Sequence, residues 1–94
     1  MRTMQFTLNH QRQAIGQLIQ VTVVARDGQS ITEVTTTFDG FMIGDDSLAP
    51  GTVQYERGFD GQSAASGASH KLVVTAFDQD NNPESSTKIW TDQV

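Results

Sequence analysis

Met4, Phe6 and Leu8 are separated by Gln5 and Thr7 and followed by Asn9, an apolar–polar alternation of period two. A half-buried β-strand needs this pattern, because successive side chains point to opposite faces. The same rhythm returns along the chain. Ile19, Val21, Val23 and Ala25 alternate with Gln20, Thr22, Val24 and Arg26, and the run stops at Asp27-Gly28. Ile31 to Phe38 is rich in β-branched residues and ends at Asp39-Gly40, a pair that favours a tight hairpin into the next apolar segment, Phe41 to Ile43. Gly44-Asp45-Asp46 is expected to end that segment. After Pro50-Gly51 comes Thr52 to Arg57, with Val53 and Tyr55 on one face. Asp60 to Ser69 is rich in Gly, Ser and Ala and reads as a mobile loop. His70 to Asp78 carries Leu72, Val74 and Ala76 on one side; Gln79 to Glu84 is turn chemistry, and Ser86 to Thr91 is a last strand. Nowhere do apolar residues repeat at 3.6. The expectation is an all-β, antiparallel sandwich of seven or eight short strands.

Size and charge narrow the choices further. A chain of 94 residues can bury roughly two-thirds of its unfolded surface, enough for one core between two layers. The whole of 1–94 is therefore read as one domain. The charged fraction of 18% is below the usual quarter or so. Thr, Ser, Gln and Gly take up the difference, as suits sheets with one wet face. Eleven acidic against six basic residues give a formal charge of −5. The bases Arg2, Arg12, Arg26, Arg57, Lys71 and Lys88 stand singly, so nucleic acid and anionic membrane surfaces are not expected partners. Cysteine is absent, which rules out disulfides and thiolate chemistry. No apolar run is long enough for a leader or a membrane span. A complete chain of this kind is expected in the cytoplasm; a domain cut from a longer secreted protein is expected at or outside the cell surface.

Three passages resemble bacterial immunoglobulin-like domains, which are close in shape to fibronectin type III modules. "VTVVARD" followed by "ITEVTTTFDGFMIGDD" resembles the family's second and third strands with a short added strand. "HKLVVTAFDQDNNPE" resembles the penultimate strand and its turn into the last. Together they cover most of the chain from about residue 17 onward. The resemblance implies an immunoglobulin-like sandwich acting as a spacer or binding module in surface proteins, adhesins, carbohydrate-active enzymes or phage particles. The chain departs from antibody-type domains in lacking both cysteines and in carrying its only Trp in the last strand.

Candidate sites follow from residue types. Asp78, Asp80, Asn82 and Glu84 alternate through a turn, and their oxygens could converge on Ca²⁺. The Gly and the distant Glu of a calcium loop are missing, and Asp and Asn favour turns for local reasons. Turn chemistry therefore stands ahead of a metal, and no cofactor is expected. Asp45 and Asp46 form a lesser acidic pair. Ser63, Ser66 and Ser69 lie near His70, but Gly61-Gln62-Ser63-Ala64-Ala65 lacks the last glycine of a nucleophile elbow, and His10 and His70 have no metalloprotease spacing. A non-catalytic chain is expected. On the apolar side, Val73 and Phe77 fall opposite the core face of their strand, while Ile89 and Trp90 must point to opposite faces. If Trp90 points outward, it could join Phe77 and Val73 in a partner-binding face, with a protein or a second copy as the occupant. If it points inward, the face loses its anchor. Trp90 and Tyr55 could instead stack on carbohydrate. Tyr55 and Phe59 could shape a groove with Arg57, or fill the edge of the core.

Overall fold

A computed structural model describes residues 4–12, 17–61 and 69–91, and among these there are seven strands. They are β1 (Gln5–Arg12), β2 (Gln17–Val24), β3 (Ile31–Phe38), β4 (Phe41–Ser47), β5 (Gln54–Gly61), β6 (Ser69–Asp78) and β7 (Pro83–Thr91). They form two antiparallel sheets, one ordered β1-β2-β5 and the other β4-β3-β6-β7. Among the described residues there is no helix. The alternating residues of the sequence line the space between the sheets. Ile19, Val21 and Val23 from β2 meet Ile31, Val34 and Phe38 from β3 and Leu72, Val74 and Ala76 from β6.

The turns fall where backbone chemistry demanded them. Phe38 pairs with Phe41 across Asp39 (φ 51°) and Gly40 (φ 86°), two left-handed residues in succession, as in a type I′ hairpin. Gly51 (φ 84°) follows Pro50, and the Thr52 N–H donates to the Ala49 carbonyl at 3.2 Å to close that turn. Gly28 and Asn81 supply the remaining positive φ angles.

β4 differs from expectation. It runs through Gly44-Asp45-Asp46 instead of stopping there, with a register shift opposite Thr36/Thr37. An edge strand tolerates charge, and two residues of the trio, Gly44 and Asp46, have a use across the sandwich. Gly44 is buried because the Phe59 ring occupies the space where a side chain would be; a Cβ built there would lie 2.6 Å from the ring. Asp46 accepts bonds from Tyr55 Oη (2.5 Å) and Arg57 Nη1 (2.7 Å) of β5. These bonds lace one open side of the sandwich. On the other side, Lys88 Nζ donates to the Leu8 carbonyl at 3.0 Å.

Thr36 is a fully buried hydroxyl between Gly44 and Val74, and its Oγ1 has no hydrogen-bond partner. An unmade bond of this kind costs stability that an apolar isostere recovers. Thr36→Val should therefore stabilise the chain by about 1 kcal/mol, read as a higher urea midpoint at unchanged slope.

Candidate functional site

Register on the four-stranded sheet decides which side chains share a face. In β6 the residues His70, Leu72, Val74, Ala76 and Asp78 are buried, so Lys71, Val73, Thr75 and Phe77 line the outer face. Lys71 pairs with Ile89, and His70 pairs with Trp90. Trp90 therefore enters from the inner side. Its ring lies 5.9 Å from Phe38 and 5.6 Å from His70, and the Phe38 and His70 rings stack at 5.2 Å. Phe77 and Trp90 do not lie side by side on one surface. Phe77 faces Pro83 at the far end of the hairpin, seven residues along β6 from the Trp90 row, or about 23 Å, and on the opposite face. Val73 and Phe77 both stay on the outer face, and Val73 lies near exposed apolar neighbours.

Those neighbours are Met42 and Ile89, 61% and 66% exposed. Thr37 pairs with both Met42 and Val73, and Val73 pairs with Thr87, so one row reads Met42, Thr37, Val73, Thr87. The next reads Asp45, Thr35, Thr75, Ser85, with Thr75 and Ser85 hydroxyls 2.8 Å apart. The row beyond it reads Ser47, Glu33, Phe77, Pro83. Charge thus segregates along the face, with Lys71 at one end and Glu33 and Asp45 toward the other. The Glu33 carboxyl is held above the usual glutamate range, first by its hydrogen bond with Asp45 and then by the repulsion between them. The sequence offered alternation as a signal for Val73 but gave no sign that Met42, Ile89, Lys71 and Glu33 would share its face, since that depends on three pairing registers.

No protein-family model matches the chain, and no curated protein does.

The other candidates resolve into structure. Asp78 lies buried at the end of β6, where Oδ1 accepts the N–H groups of Asp80 and Asn82 at 2.9 Å and Oδ2 pairs with Arg26. Glu84 sits 3.2 Å from Arg26 Nε and accepts the Met4 N–H at 3.1 Å. Asp78 is thus committed to the turn and to Arg26, and Glu84 to Arg26 and Met4; among the described residues, no three His, Asp or Glu side chains group as metal ligands would. Tyr55 and Phe59 are core residues, each 6% exposed. Tyr55 gives its hydroxyl to Asp46, and burial, followed by that bond, raises its pKa well above the usual tyrosine value. Arg57 lies over the Phe59 ring at 4.6 Å. Tyr55 therefore offers a sugar no open stacking platform, while Trp90 is half-buried against the core. His70 is buried, with Nδ1 2.7 Å from Asp39 Oδ2. The other oxygen of Asp39 accepts the Lys71 N–H at 2.8 Å, so this pair anchors the β3–β4 turn onto β6. Ser63 and Ser66 lie outside the described residues.

Proposed function

We propose that the chain is a non-catalytic, immunoglobulin-like binding or spacer module that makes protein contacts, and that its contact face is the outer surface of the β4-β3-β6-β7 sheet. The strand order supports the family reading. A three-stranded sheet of the first, second and fifth strands, facing a sheet of the third, sixth and seventh with an added fourth, follows the sandwich plan the sequence resembles. Fold analogy carries no partner; the face does.

The observation that carries the partner is its self-complementary charge. A two-fold axis lying across the strands between the Val73 and Thr75 rows lays two copies face to face with antiparallel strands. Lys71 of each copy then falls over the Phe77 row of the other, beside Glu33. Met42, Val73 and Ile89 leave water in the same step. The face spans roughly 20 by 20 Å, small for a stable dimer, so the association is weak, with Kd on the order of 100 μM at low salt.

Sedimentation equilibrium up to 1 mM protein tests this. Lys71→Glu and Glu33→Lys should each abolish dimerisation and the double exchange should restore it, while 0.5 M salt should weaken the wild-type dimer severalfold. A chain that stays monomeric at 1 mM and low salt, or a Lys71→Glu variant that dimerises unchanged, sinks the proposal.

A further inference from the structure

The fold itself explains four of the five described glycines whose surroundings are resolved. Gly28, Gly40 and Gly51 hold positive φ, and Gly44 yields its space to Phe59. Gly58 has no such reason. It sits in the middle of β5, exposed, with its backbone outside the left-handed region, and a Cβ built on it would meet nothing closer than the Ile19 carbonyl oxygen at 3.9 Å. Glycine in a strand interior weakens the strand, and where the chain itself does not need it, it marks a place where something else approaches closely.

What surrounds Gly58 defines what would approach. The register places Asn9, Gln20 and Gly58 in one row across β1, β2 and β5, and Thr7, Thr22 and Glu56 in the next. The missing third side chain of the first row opens a shallow groove of about 380 Å³, lined by Asn9, Gln20, Thr22, Glu56 and Gly58 together with Val21 and Arg57, near the lower end of small-ligand sites. Two carboxamides, a hydroxyl and a carboxylate offer paired donors and acceptors. Glu56 is already turned toward Gln54, whose Nε2 donates to it at 2.9 Å. The strand backbones beneath are paired to one another, and no aromatic lines the groove. β1 and β5 are the edges of this sheet, but the groove opens on its face, where a peptide would find no anchor pocket. The Arg57 guanidinium is engaged by Asp46 and lies over the Phe59 ring, so the chain's charge of −5 and the Glu56 carboxylate disfavour an anion.

We infer that the Gly58 groove on the outer face of the β1-β2-β5 sheet binds a neutral, hydroxyl-rich ligand, an oligosaccharide, whose vicinal hydroxyls bridge Asn9, Gln20 and Glu56. This surface lies on the opposite side of the sandwich from the proposed contact face and is independent of it. Amide NMR spectra of the chain titrated with neutral hexasaccharides of glucose, mannose and N-acetylglucosamine to 10 mM test the assignment. At least one probe should shift the backbone amides of residues 56–58 and the side-chain amides of Asn9 and Gln20, with Kd on the order of 1 mM. Gly58→Val fills the groove and should weaken binding at least tenfold while Tm stays level or rises. Gln20→Ala, at an exposed position, should weaken it independently. Silence from all three probes, shifts elsewhere on the surface, or unchanged affinity in Gly58→Val overturns the inference.

Discussion

Gly44→Ala should cost about 2–3 kcal/mol, lowering Tm by roughly 10–20 °C in a domain of this size. The added methyl carbon would stand 2.6 and 2.7 Å from Cε1 and Cζ of Phe59, distances that carbon atoms do not adopt without movement. Phe59 has little room to give. Its ring is buried under the Arg57 guanidinium at 4.6 Å, and Arg57 is itself held by both oxygens of Asp46 at 2.7 Å. Gly44 does not have a positive φ, so alanine brings no backbone strain. In a strand it would otherwise be favoured. The loss must therefore come from the ring. A double-mutant cycle with Phe59→Leu isolates it, because the smaller side chain should take back more than 1 kcal/mol of the alanine penalty. Strict additivity in urea denaturation would mean that the contact is not the cause.

Gly44 also shows where sequence reading stops. Turns were legible because their causes are local: Asp39-Gly40 and Pro50-Gly51 hold the conformations their residue types favour. The core was legible for the same reason, since Leu72, Val74 and Ala76 announce their face by alternation alone. Gly44-Asp45-Asp46 carries the same residue types as a turn, yet its glycine answers to Phe59 and its Asp46 to Tyr55 and Arg57, all on the other sheet. No local pattern announces a partner across a sandwich. Trp90 is a different case. Once Phe77 faces Pro83, antiparallel pairing fixes Trp90 opposite His70, and a residue opposite a core-facing position must itself face the core. That step needed only the hairpin turn at residues 79–82, whose chemistry the sequence displays. Phe77 and Trp90 belong to neighbouring strands, but neighbouring strands do not make neighbouring residues.

Asp78→Ala should lower Tm by roughly 10–20 °C at pH 7, the other large effect expected of a single substitution. Asp78 is 1% exposed and serves two masters. Its Oδ1 takes the N–H groups of Asp80 and Asn82, fixing the turn between β6 and β7, while Oδ2 pairs with an Arg26 whose side chain is only 19% exposed. Alanine frees the turn and leaves a mostly buried guanidinium with Glu84 as its remaining carboxylate among the described contacts. Asp78→Asn separates the two roles: the amide oxygen can still accept from the turn, but the charge facing Arg26 is gone, so its loss should be smaller. The pH dependence tells them apart. The Asp78 carboxyl is held below the usual aspartate range, chiefly because the carboxylate accepts the Asn82 N–H, then that of Asp80, with the Arg26 charge adding to it. A carboxylate depressed on folding contributes its stability fully above the unfolded value and loses it as pH falls through the folded one. The gap in stability between the wild type and Asp78→Asn should therefore be constant from pH 7 to about 5 and close below about 3.8. Urea midpoints for both proteins across that range measure it. A gap that persists undiminished at pH 2 would assign the role of Asp78 to packing and not to its charge.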